Sequence, residues 1–147
     1  MRSTVQRIYR MRWVSLACAL SFGLPSVNAD IVAVVAAGSP IASLSKTQVI
    51  DIFLGKRTRF PDGSDAVPID QTEGSVARDE FYLQLAAMSP AQVQAFWSKI
   101  IFTGRGQPPR IANTVLELKK LLLANPNAIG YLDRSVLDSS FKVVLAP

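Results

Sequence analysis

The chain has 147 residues, a formal net charge of +5, one Cys and no His. Without His, and with a single Cys, serine–histidine and cysteine–histidine nucleophile pairs are excluded, as are zinc sites built on His or Cys. No two carboxylates stand out as an acid–base pair, so no enzyme, no cofactor and no metal site is expected.

The chain begins with a basic head, Arg2, Arg7, Arg10 and Arg12, and no acid. The apolar run from Trp13 to Leu24 follows, then Pro25. That run is shorter than the about 20 residues a membrane-spanning helix needs. With Val27 and Ala29 as small residues at −3 and −1, residues 1–29 read as a secretory signal peptide. Residues 30–147 then form one domain, exported to the periplasm. All four leader arginines leave with the leader, so twelve basic residues face eleven acids in the remainder. The alkaline character belongs to the leader, and no nucleic-acid partner is expected. The remainder has no Cys, so its stability must come from a buried core rather than from disulfides.

"IVAVVAA" (31–37) is a Val-rich apolar run, the pattern of a strand covered on both faces. Ser45 stands three residues before Gln48, a capping box, and opens a helix with Val49, Ile52 and Phe53 that stops at Gly55. "KRTRFPDGSD" reads as a solvated basic loop with a Pro-Asp-Gly turn. "AVPID" (66–70) predicts a second strand, with Pro68 at an edge or a strand end.

Gly74-Ser75 ends a turn, and Ser75 caps a helix whose Ala77, Phe81, Leu85 and Met88 form one apolar stripe. Ser89, Pro90 and Gln92 make a second capping box with proline at the favoured first position. Val93, Phe96, Trp97, Ile100 and Ile101 give that helix the clearest apolar face in the chain, and its aromatic pair reads as core. "TGRGQPPR" (103–110) is a loop. Thr114 and Glu117 form a third capping box before "VLELKKLLLA", which "NPN" ends. "AIGYLD" and "FKVVL" predict two further strands, with a short turn or helix at "RSVLD" between them. Strands alternating with helices predict an α/β fold with a mixed, mainly parallel sheet.

The Gly74-Ser75 turn is the candidate functional stretch. The first N–H groups of a helix have no internal acceptor, and the macrodipole places about half a positive charge there. A small residue admits an anion to the backbone, and a cap hydroxyl adds a donor. Arg78 adds positive charge, whereas Glu73, Asp79 and Glu80 oppose it and could satisfy the dipole without any ligand.

The stretches "SKTQVIDIFLGKRTRFPDG", "VPIDQTEGS" and "NPNAIGYLD", in that order, resemble the second lobe of phosphate-binding proteins of ABC transporters, two-lobed receptors of the type 2 periplasmic-binding fold. The likeness spans roughly residues 42–145. It implies a single three-layer lobe, a mixed, mainly parallel sheet flanked by helices, that holds an oxyanion at a helix start. In that family a Gly-Ser-Gly-Thr turn grips phosphate, with an Arg four residues before the Ser. Here Gly74 and Ser75 match, Val76 and Ala77 replace the second Gly and the Thr, and Gln71 stands at the Arg position. The implied site is therefore Gly74, Ser75, Val76 and Ala77, with Gln71, Arg78 and Arg105 around it. Phosphate or a similar oxyanion is the expected ligand, and a membrane transporter, a membrane sensor or a second copy of the chain is an expected partner. A second reading is a non-enzymatic interaction or sensory module, with the "GRGQPPR" loop as a contact.

Overall fold

The computed structural model describes residues 29–146, so all but Ala29 of the expected leader lies outside the described residues. Strand β1 spans Ile31–Ala36, helix α1 Lys46–Phe53, strand β2 Val67–Gln71, helix α2 Val76–Ala86 and helix α3 Pro90–Phe102. Strand β3 spans Arg110–Ala112, helix α4 Val115–Ala124, strand β4 Ala128–Asp133 and strand β5 Phe141–Leu145, with a 3-10 turn at Arg134–Val136.

The five strands make one sheet in the order β3-β2-β4-β1-β5. β2 pairs in parallel with β3 and β4, whereas β1 runs antiparallel to both β4 and β5. Four strands thus point one way, with β1 reversed among them. β1 is apolar throughout because its two faces feed two cores. Ile31, Ala33 and Val35 join one cluster with α1, α2 and α3, and Val32 and Val34 join the other with α4. The result is the expected three-layer α/β arrangement.

Capping fixes the helix starts where the sequence predicted them. Ser45 and Ser89 each accept from the N–H of the residue three on, and Gln48 and Gln92 reach back to the cap N–H. Ser75 and Thr114 cap α2 and α4 through their side-chain oxygens. The third capping box is only half made: Glu117 accepts from the N–H of Asn113 at 2.9 Å and not from that of Thr114.

Pro68 sits at the start of β2, paired there with Ile129 of β4, and β3 joins only from Ile69 onward. Its missing N–H therefore lies where no partner on that side needs it. β3 itself went unpredicted. Three residues following Pro108-Pro109 carry too short a pattern to register as a strand, and parallel pairing to β2 is what makes them one.

The larger core centres on aromatics. Phe81 stacks on Tyr131 with ring centroids 4.0 Å apart and meets the edge of Phe53 at 4.8 Å. All three rings are shut off from water. The last turn of α3 departs from the expected apolar face: Val93 and Trp97 are buried, but Ile101 and Phe102 are not. The core ends before the helix does.

Phe81 joins α2 to β4 and α1, so Phe81→Ala should destabilise the fold by about 3–5 kcal/mol. Urea unfolding of the variant, with an unchanged slope, would measure it.

Candidate functional site

At the start of α2, Gly74 has φ of 81°, a left-handed conformation that glycine adopts without strain. A Cβ there would meet nothing within 4 Å, so the site needs glycine for its backbone rather than for space. Ser75 has extended dihedrals, and its N–H donates to the Thr72 carbonyl at 3.2 Å, closing the turn. The Ser75 hydroxyl accepts from the N–H of Arg78 at 3.2 Å. Its own proton remains available to a ligand.

The Arg78 and Asp79 amides are satisfied by Ser75. The amides of Val76 and Ala77 have no acceptor among the described residues. Asp79 and Glu80 do not fill that role. Glu80 takes the side-chain amide of Gln84 at 3.3 Å, and one Asp79 oxygen is buried without a donor. Val76 is 67% exposed and leaves the turn open to solvent.

The other residues expected around the cradle are placed differently. Gln71 is buried in β2, and its side-chain amide donates to the Tyr131 carbonyl at 2.9 Å. Arg78 is only 5% exposed, and its Nε faces Asp70 Oδ2 at 3.4 Å. That distance is long for a hydrogen bond, so the attraction is chiefly between charges. Arg105 is exposed in the loop after α3 and lines a groove there with Ile101 and Pro108. The structure therefore gathers Gly74, Ser75, Val76 and Ala77 in one turn and puts Gln71, Arg78 and Arg105 to other contacts.

Sequence reasoning missed the buried polar centre next to this turn. Asp70 is 2% exposed. Its carboxylate accepts from Tyr82 Oη at 2.8 Å, from the Tyr131 hydroxyl and from the Gln71 N–H at 2.8 Å, with Arg78 beside it. Three hydrogen-bond donors and the Arg78 cation surround its two oxygens. The Arg78 guanidinium also lies over the Tyr82 ring, 5.4 Å from its centroid. Burial pulls the Arg78 pKa down, but the Asp70 charge together with Tyr82, Tyr131 and the contact to Asp70 leaves it raised. Burial also pushes the Tyr82 and Tyr131 phenols up, with the Asp70 charge adding to it. One signal was present in the sequence: an acid following the apolar start of β2, with Arg78 and Tyr82 four apart on the helix that follows.

Beside this centre a cavity of about 270 Å³ is lined by Asp70, Glu73, Arg78, Trp97, Ile101 and Ile111, among others. Its charges are mixed, one cation against two acids, so it does not favour a simple anion. Among the described residues, no group of three or more His, Cys, Asp or Glu is placed to hold a metal. No helix among them is long and apolar enough to cross a membrane.

With this geometry in hand, the chain can be set beside known proteins. No family model and no curated protein matches it. Solved structures do. A protein from Clostridium perfringens assigned as a phosphate ABC transporter substrate-binding protein, solved with bound phosphate, matches with a TM-score of 0.63 at 24% identity. The match covers 78% of this chain and 44% of that one. An ABC-type phosphate transport receptor from Vibrio cholerae matches at 0.61 and 18% identity, over 78% of this chain and 45% of the receptor. A candidate phosphate-binding protein from Planctomyces limnophilus matches at 0.54 and 12% identity, over 78% and 40%. The fold is that of a periplasmic-binding-protein lobe. The likeness of "SKTQVIDIFLGKRTRFPDG", "VPIDQTEGS" and "NPNAIGYLD" to phosphate receptors is thereby met at the level of fold. The chain spans less than half the length of each of these structures.

Two outcomes follow from the buried centre. Asp70→Ala should cost about 3–5 kcal/mol in denaturant unfolding, because it strands the Arg78 charge out of water. The unfolded chain releases its tyrosine protons at about pH 10, and the folded chain holds Tyr82 and Tyr131 protonated to higher pH. Stability is therefore fully present below about pH 10 and falls as pH rises beyond it. Melting temperatures across that range should drop less steeply in Tyr82→Phe than in the unaltered chain.

Proposed function

We propose that the chain is an exported oxyanion-binding domain that takes phosphate or a related oxyanion at the start of α2. The observation that carries this reading is the pair of unbonded amides at Val76 and Ala77, beside a cap hydroxyl and an open glycine turn. Those groups sit on a fold shared with a receptor solved with bound phosphate. The ligand receives two backbone N–H donors and the Ser75 hydroxyl, reinforced by the helix dipole. It forms no covalent bond and undergoes no reaction, so the role is binding rather than catalysis.

Residues 1–29 act in this reading as a cleaved leader that delivers residues 30–147 to the periplasm. The natural partner there is a membrane component of the ABC-transporter type or a membrane sensor. Crowding by Val76, where the receptor family has Gly, and the loss of a hydroxyl at Ala77, where it has Thr, weaken the grip but leave the backbone donors in place. With Arg78 held by Asp70, positive charge at the turn comes from the helix end itself.

The alternative of an interaction module draws support from a separate feature, the exposed apolar end of α3. The two readings differ in what binds at the Gly74-Ser75 turn.

A thermal-shift series with phosphate and sulfate tests the proposal. At phosphate well above its dissociation constant the melting temperature should rise on the order of 10 °C. Ser75→Ala lowers the starting stability by about 1 kcal/mol through loss of the cap. It should also remove most of the phosphate-dependent rise. No rise in the unaltered, folded protein at any phosphate concentration would exclude the oxyanion role.

A further inference from the structure

The last turn of α3 presents apolar side chains to water in a fixed position. Phe102 is 93% exposed and Ile101 56%, with Ile111 of β3 at 43%. The helix end is not frayed. Gly104 has φ of 65°, its N–H donates to the Ile101 carbonyl at 3.0 Å, and the Arg105 N–H donates to the Ile100 carbonyl at 3.1 Å. The Thr103 hydroxyl donates to the Lys99 carbonyl at 2.9 Å. The turn that displays Phe102 is therefore closed on itself by its own hydrogen bonds.

Charge is distributed unevenly around this apolar end. Ile101 and Pro108 line two hollows at once. On one side they share the cavity that contains Glu73 beside the mutually paired Asp70 and Arg78, and on the other they share a groove of about 640 Å³ that contains Arg105. They form a ridge with an acid on one flank and a cation on the other. From Phe81 to Leu116 the sequence contains no acid, and its only charges are Lys99, Arg105 and Arg110. The positive flank is thus left without a partner of its own: none of these three cations takes part in an ion pair among the described residues.

An apolar ridge with opposite charges on its two sides is complementary to itself after a half-turn. That is the requirement of an isologous two-fold interface, in which one patch meets the same patch of a second copy. Aromatic side chains and Arg are also enriched where such interfaces form. A partner of uniform acidity would match the Arg105 flank but oppose Glu73, so the charge pattern favours a second copy.

We propose that two copies of this chain pair through the end of α3, with Ile101 and Phe102 at the centre. Arg105 of each copy faces Glu73 of the other. The pairing stands without the oxyanion reading but bears on it: Glu73 immediately precedes Gly74, so Arg105 of the second copy arrives beside the proposed anion turn. This gives a role to a residue that the single chain holds in a different groove.

Sedimentation equilibrium of the purified protein in phosphate-free buffer, from micromolar to submillimolar concentration, tests the pairing. The unaltered protein should form dimers, and Phe102→Asp should leave monomers. Arg105→Glu and Glu73→Arg should each weaken association about tenfold or more, and the double reversal should recover it. All three positions are exposed, so melting temperatures should stay near that of the unaltered chain. If Phe102→Asp melts early, Ile101→Asp takes its place in the same comparison. A monomer throughout, a dimer indifferent to Phe102→Asp, or no recovery in the double reversal would each overturn the proposal. Phosphate titration of monomeric Phe102→Asp separates the two readings. A retained thermal shift leaves oxyanion binding intact whatever the fate of the pairing.

Discussion

The carboxylate of Asp70 holds the centre of this fold. It lies on β2 and takes donors from α2 through Arg78 and Tyr82, and from β4 through Tyr131. A charge in such a place is costly to bury and tolerable only when its acceptor sites are filled. Here all the donors come from side chains and backbone that must be in register for the bonds to form. The centre thereby specifies how α2 lies across the sheet, and with it the direction in which the start of α2 points. The proposed anion turn is placed by that choice, since Gly74 and Ser75 follow β2 directly and lead into α2.

This arrangement separates two uses of positive charge. Arg78 is positioned by an internal acid and does structural work, while the helix start offers neutral donors and a dipole. A cradle built from backbone amides does not change its charge with pH and needs no flexible side chain to be ordered. Its weakness is that it is open to water, where donors compete with solvent. In proteins that span more than twice the matched length, further walls can surround a ligand. In this chain the candidate wall is the neighbouring α3 end, whose exposed apolar ridge invites a second surface.

Much of the architecture was legible because it rests on short-range physics. Capping by Ser45, Ser75, Ser89 and Thr114 depends on residues three apart and appeared as expected. β1 announced itself by an unbroken apolar run, and the two cores on its two faces explain why it had to be unbroken. The site was legible only in part. The Gly74-Ser75 turn was visible, but the environments of Gln71, Arg78 and Arg105 were not. Each of them is decided by a contact with another element: Gln71 with Tyr131 sixty positions on, Arg78 with Asp70 of the preceding strand, and Arg105 with the loop and helix end around its groove.

By itself, then, the sequence determined the class of fold and the helix starts, the one after Gly74-Ser75 among them. Hydrogen bonding over three or four residues and apolar periodicity are properties of a local stretch. The tertiary structure alone decided that Arg78 turns inward, that Arg110–Ala112 pairs as a strand, that β1 runs against its neighbours and that Phe102 is left outside the core. Those outcomes depend on which distant group satisfies a charge or covers a ring. A linear pattern carries no record of that until the chain has folded.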